Sequence, residues 1–157
     1  PEQLGKRGLA PETVAEAAAG IDEARLVRDA VTAAEAGDVS AMHDATEGGL
    51  LGALCEMAES AGVRFEVDAD AAPMHAGVPQ VCEALGVDPW KVTSSGTLVL
   101  AVPPEDADAV RRAIEARETP VAEFGAVREG SGVRFRGEEW TEPPRDQSWD
   151  AYAAFEG

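Results

Sequence analysis

The stretch Ser40-Ala-Met-His-Asp-Ala-Thr-Glu-Gly-Gly-Leu-Leu-Gly-Ala-Leu-Cys-Glu-Met-Ala-Glu-Ser60 decides how this chain is read. Val39–His43 is short and mostly apolar, as a strand would be, and Asp44–Gly49 has turn chemistry. From Leu50 the apolar residues fall at Leu50, Leu54, Met57, Ala58 and Ala61, which is helical spacing. A helix opening behind a glycine pair presents free backbone N–H groups and the positive end of its dipole. Gly48 and Gly49 have no Cβ, so an anion can approach the backbone closely. Thr46 adds a hydroxyl, and Asp44 can cap the turn or orient a water or a metal. Two readings stand side by side on spacing alone. One is a phosphate-binding turn made by Asp44, Thr46, Gly48 and Gly49. The other is a tight strand-to-helix connection with Asp44 or Thr46 as an ordinary N-cap. Under the first, Gly49→Val is expected to abolish anion contact without unfolding the domain.

Working outward, helices and strands alternate on both sides of this unit. Residues 1–20 read as a linker with one short helix at Pro11–Ala19. Asp22 is placed to cap the next helix, with Ile21 stapled onto Leu26. Its expected apolar face is Leu26, Val27, Ala30, Val31 and Ala34, and Gly37 ends it. Val63, Phe65 and Val67 alternate with charged residues and predict a strand. Gly77–Leu85 reads as a helix stopped by Gly86. Thr97–Val102 is nearly all apolar, which suits a central strand. Pro103-Pro104 open a helix whose core stripe is Ala107, Val110 and Ile114. Val121–Val127 reads as a strand, Glu129–Gly132 as a hairpin turn, and Val133–Phe135 as a returning edge strand. The fold class expected is α/β (α+β): a layered α/β/α domain over residues 21–136 with a mixed sheet of about five strands. Trp140, Trp149, Tyr152 and Phe155 are expected to hold the acidic 137–157 tail against the domain or a neighbouring one.

The chain of 157 residues carries 30 Asp and Glu against 13 Lys and Arg, a net charge of −17. Such a surface repels nucleic acid and anionic membranes, so neither is expected as a partner. Lysine occurs only at Lys6 and Lys91, and that scarcity points to a protein built for high cytosolic salt, where screening suppresses self-repulsion. The thermal midpoint is therefore expected to rise from low to molar KCl. A flat or falling curve removes the halophilic reading. Cys55 and Cys82 are too few for a disulfide scaffold and are expected to be buried thiols. No apolar run has membrane-spanning length and nothing resembles a signal peptide, so a cytoplasmic location is expected.

The central stretch also carries a resemblance. His43-Asp-Ala-Thr-Glu-Gly-Gly-Leu50 resembles the Asp-Pro-Thr-Arg-Gly-Gly-Leu signature of HypE hydrogenase-maturation proteins. Gly49-Leu-Leu-Gly52 with Glu56-Met-Ala58 is similar to selenophosphate synthetase, and aminoimidazole ribonucleotide (AIR) synthetase, PurM, has a related run. The likeness continues through Val63–Val67, Ala84–Pro89 and Gly96–Ala107. It implies the C-terminal domain of this superfamily of ATP-using enzymes, which activate an oxygen by phosphorylation. It further implies ATP and Mg as cofactors, an N-terminal ATP-binding domain of the same parent chain as partner, and a homodimer in the parent. Asp44, Thr46, Gly48 and Gly49 would contact phosphate, directly or with Asp44 acting through Mg. No metal site is expected within this chain alone, and the isolated domain is expected to be inactive. The alternative is a non-enzymatic domain that binds a small anion or a protein.

His43, Glu56, Ser95 and Gly96 are secondary candidates. His43 either faces a ligand or is a partly exposed strand-end histidine. Glu56 either turns back to the site or is a solvated helix charge, and the Ser94-Ser95-Gly96 loop can line the same crevice. The chain departs from the HypE pattern at Glu47, where HypE proteins carry Arg, and at Ser95, where they carry Glu. It also has no cysteine after Cys82, whereas HypE proteins end in one that carries the carbamoyl group, so carbamoyl chemistry is not implied.

Overall fold

The helix behind the glycine pair is apolar on almost every side, and the other elements surround it. The computed structural model describes residues 2–23 and 26–153. In chain order the first half comprises α1 (Glu2–Lys6), α2 (Pro11–Ala19), α3 (Leu26–Ala36), β1 (Ala41–Ala45), α4 (Gly49–Ala61), β2 (Arg64–Val67) and α5 (Val78–Leu85). The second half comprises β3 (Thr97–Ala101), α6 (Pro104–Glu115), β4 (Gly125–Arg128), β5 (Gly132–Phe135), β6 (Glu138–Trp140) and α7 (Ser148–Ala153). Short 3₁₀ turns lie at Gly20–Glu23 and Pro89–Lys91.

In α4, Leu51, Gly52, Ala53, Leu54, Cys55, Met57 and Ala58 are all buried. A helix apolar all round belongs in an interior. Its small residues let it sit between two β layers: the antiparallel ribbon β1–β3 and the four-stranded mixed sheet β4-β2-β5-β6. The ribbon obeys the period of two: Val99 faces the α4 core, while Leu100 and Val102 face a second core made by Ala33 of α3 and Val110 and Ile114 of α6. Helices therefore flank the ribbon on both sides, and the α/β class holds. The strands number six among the described residues, divided four and two.

Several local expectations are corrected. The strand before the turn is Ala41–Ala45, not Val39–His43, because Asp44 and Ala45 pair with Leu98 and Thr97 across the ribbon. Asp44 is thus a strand residue. The apolar strand at Thr97–Ala101 pairs only with β1 among the described residues. It is covered by helix cores on both faces instead of by strands on both edges. Glu129–Gly132 is not a hairpin turn, and β5 is not an edge strand. Arg128 of β4 and Gly132 of β5 both pair with Arg64, on opposite sides of β2, so the connection arches over the start of β2. β6 takes the edge beyond β5.

The face of α3 is rotated from the expected one. Val27 is 79% and Val31 51% exposed, while Asp29, Thr32 and Ala33 are buried. The cause is polar: the Asp29 carboxylate accepts from Arg28 at 2.8 Å and from the Thr119 hydroxyl at 3.1 Å. Those bonds turn the helix so that small residues meet α6, with Gly37 so close that a Cβ there would lie 2.9 Å from Asp106 Cβ. Ile21 is 80% exposed and does not act as a staple. The capping side chain of Asp22 lies outside the described residues. Cys55 and Cys82 are buried free thiols, as their place in helices suggested.

Candidate functional site

The turn is built by two left-handed glycines, Gly48 at φ 76° and Gly49 at φ 67°. Residues with a Cβ rarely adopt this conformation. The Gly49 amide donates to the Thr46 carbonyl at 3.0 Å, and the Gly52 amide donates to the Gly48 carbonyl to start α4. The Gly48 amide is already engaged. It donates at 2.8 Å to Oδ2 of Asp146, a carboxylate only 3% exposed.

Asp146 is the hub of this end of the molecule. Its Oδ2 also accepts from the Thr93 hydroxyl at 2.7 Å, and its Oδ1 from the Ser148 amide at 2.7 Å. Burial pushes the Asp146 carboxyl up, but the hydrogen bonds from Ser148, Thr93 and the Gly48 amide outweigh it and hold the value down at about 2. Neighbouring bonds lace the same segment to the loop before β3. The Gln147 side-chain carbonyl accepts from the Asp88 amide at 2.6 Å, the Gln147 amide donates to the Lys91 carbonyl, and the Ser148 hydroxyl accepts from the Thr93 amide. Trp149 Nε1 donates to Glu47 at 3.3 Å. The tail is attached through these polar groups; Trp149 and Tyr152 are 58% and 62% exposed. Trp140 is half-buried beside the α4 core, with the Lys91 ammonium 4.5 Å from its ring centre. Phe155 lies outside the described residues.

The space a side chain would take at either glycine is filled by protein. A Cβ on Gly49 would lie 2.6 Å from the carbonyl oxygens of Trp90 and Val92, and one on Gly48 would lie 3.2 Å from the Pro144 carbonyl. The glycines therefore serve close backbone packing here, which corrects the expectation that Gly49→Val spares the fold.

The remaining candidates divide. Thr46 is exposed on the turn, and Ser95 and Gly96 are exposed beside it, because the Ala45–Thr97 pairing of the ribbon brings their loop alongside. His43 and Glu56 form a separate pair: His43 Nε2 sits 3.0 Å from Glu56 Oε2, and His43 Nδ1 donates to the Asp44 carbonyl at 2.7 Å. Both face the α4 side of the ribbon, on the rim of an apolar cleft of about 590 Å³ lined also by Met42, Met57, Phe65 and Val127. Asp44 Oδ1 is 4.0 Å from His43 Nδ1 and well exposed. Among the described residues no group of three His, Cys, Asp or Glu side chains is placed to hold a metal, so Asp44 offers Mg a single carboxylate. A wider hollow of about 770 Å³ lies against the four-stranded sheet, where Glu66, Asp68, Arg134 and Arg136 meet. Neither hollow includes Thr46, Gly48 or Gly49. Asp146 and Thr93 carry no sequence signal of their role. No periodicity or motif ties them to the turn, and Asp146 is 98 positions from Gly48.

Comparison with known proteins places the chain in a family. The profile described as "AIR synthase related protein, C-terminal domain" matches residues 5–138. The carbamoyl dehydratase HypE of Rhizobium leguminosarum bv. viciae is 45% identical over 91 residues, covering 58% of this chain and 26% of that protein. The crystal structure of E. coli HypE superposes with a TM-score of 0.65 at 31% identity, covering 76% of this chain and 40% of that one. A HypE structure solved in complex with ATP gives a TM-score of 0.55 at 32% identity, over 60% of this chain and 29% of that one. The chain thus spans about a quarter of the Rhizobium relative's length. It belongs to the AIR synthase-related family and carries that family's C-terminal domain.

Proposed function

We propose that the chain is the C-terminal domain of a HypE-like, ATP-dependent enzyme and that its glycine turn completes a phosphate site held mainly by an N-terminal domain of the same parent. The observation that carries this reading is chemical. The Gly48 amide, at the positive end of α4, already binds an anionic oxygen, that of Asp146. The solved HypE–ATP complex of the same fold supports ATP as the nucleotide. In the parent, Thr46 supplies a hydroxyl to a phosphate oxygen. Asp44 reaches a Mg ion whose other ligands come from the N-terminal domain. The chemistry would be activation of an oxygen by phosphoryl transfer. The exposed apolar residues Ile21, Val27 and Val31 support contact with a further domain. A homodimeric parent in the cytoplasm completes the proposal.

Thr46→Ala in the full-length parent tests it, because the residue is exposed and its loss spares the core. ATP affinity measured by calorimetry is expected to fall about tenfold, in keeping with one lost hydrogen bond to a charged group. Unchanged affinity in that variant and in Asp44→Asn would place the nucleotide elsewhere and favour a domain that binds a protein or an unrelated anion.

A further inference from the structure

The segment that fills the glycine turn is covalently part of the chain, and its contact is a charged one. Asp146 places one carboxylate oxygen 2.8 Å from the Gly48 amide, where an oxygen of a bound phosphate would have to sit to use that donor. The same oxygen takes the Thr93 hydroxyl, and the other oxygen takes the Ser148 amide, so three donors converge on one buried anion. We propose that residues 144–149 form an intramolecular plug, in which Asp146 competes with a phosphate ligand for the glycine turn. This deepens the reading of the turn as a phosphate site and rests on it.

The plug is fixed by few bonds and is built to lift as a unit. Its anchors are Asp146 on Gly48 and Thr93, Gln147 on Asp88 and Lys91, Ser148 on Thr93, and the Trp149 indole N–H on Glu47. All are polar, and the aromatics next to them, Trp149 and Tyr152, stay exposed. Lifting the segment therefore uncovers little apolar surface, and water replaces the lost partners. Only Asp146 itself must be exchanged for an equivalent anion. A site open for a fraction of the time binds its ligand more weakly by that fraction. The plug thus sets a threshold: a multiply charged phosphate displaces it, and a weaker single carboxylate does not.

The test uses the full-length parent, isotope-labelled, titrated with ATP and separately with inorganic phosphate, and followed by amide NMR. In Asp146→Asn the side-chain carbonyl still accepts from Gly48 and Thr93, and only the Ser148 amide loses its acceptor, so most of the anchoring is kept while the competing charge is removed. ATP affinity is expected to tighten at least tenfold. Thr93→Val, which removes one anchor and keeps the volume, is expected to tighten it severalfold. In the wild-type chain the Ser148 amide, which touches only Asp146, is expected to shift at the same ATP concentration as the Gly48 amide. Equal affinities in all three chains, with Gly48 shifting and Ser148 still, would overturn the plug and leave the phosphate turn standing. Absence of binding to all three, with both ligands, would overturn the phosphate turn and the plug with it. Binding to Asp146→Asn alone would support both.

Discussion

Gly49→Val is expected to cost at least about 4 kcal/mol, beyond the usual range for a point substitution. Backbone strain and steric overlap both contribute. The backbone at Gly49 is left-handed, at φ 67°, where a β-branched residue is strained by an amount on the order of 1–2 kcal/mol. The overlap costs more. The new Cβ would lie 2.6 Å from two carbonyl oxygens, those of Trp90 and Val92, and neither is the end of a flexible side chain. Trp90 is 2% exposed and packs on Phe135 with ring centres 4.6 Å apart, so the loop cannot retreat without opening the core around α4. For a domain of this size a loss of about 4 kcal/mol lowers the thermal midpoint by roughly 8–16 °C. Calorimetry of the variant checks it, with Gly62→Val as control, since Gly62 is also left-handed at φ 64° but faces open space. Loss in the control as large as at Gly49 would attribute the effect to backbone strain alone.

The core helix was legible in the sequence because its code is local and redundant. Apolar and small residues fill α4 on almost every side, glycines bound it at both ends, and no competing pattern exists over the same window, although Ala61, expected on the apolar face, is exposed. The core stripe of α6 was legible for the same reason, with Val110 and Ile114 at 3% and 4% exposure. The face of α3 was not. Val27 and Val31 are the more apolar residues, yet the buried side is set by the Asp29–Arg28–Thr119 bonds, and Thr119 is 90 positions away from Asp29. Hydrophobic periodicity reads only what one helix carries; it cannot see a polar partner on another element. The connection from β4 to β5 failed likewise. Its glycines match a hairpin, but the strand that separates the two had already been laid down, far earlier in the chain, as β2.

At the candidate site the turn itself was legible and its occupant was not. Strand, paired glycines and helix lie within one short stretch. The oxygen that meets the Gly48 amide comes from the other end of the chain, on a segment whose conspicuous residues are aromatic. Trp149 and Tyr152 turn out to be exposed, while Asp146 is buried. A buried carboxylate is stable only with donors around it, and those donors are backbone amides and a hydroxyl that any sequence supplies. Composition therefore gave no sign of it.

Replacing that carboxylate should show how much of the fold depends on it, and the effect should shrink in acid. Asp146→Ala leaves the Gly48 and Ser148 amides and the Thr93 hydroxyl without their shared acceptor, a loss of about 3 kcal/mol at neutral pH. Part of that contribution titrates. The folded carboxyl is held at about 2, below its ordinary 3.8, because the hydrogen bonds outweigh burial. A group depressed on folding stabilises fully above its unfolded value and ceases to do so as pH falls through its folded value. The window therefore runs from about pH 4 down to about pH 2, and the titrating part is on the order of 2 kcal/mol. Urea unfolding of the wild-type chain and of Asp146→Asn, which cannot titrate, isolates it. The difference in unfolding free energy between the two should stay constant from about pH 7 to pH 5 and then shrink by about 2 kcal/mol towards pH 2. A difference that stays flat throughout would mean that Asp146 is ordinary in its titration and that its hydrogen bonds do not favour the charged form.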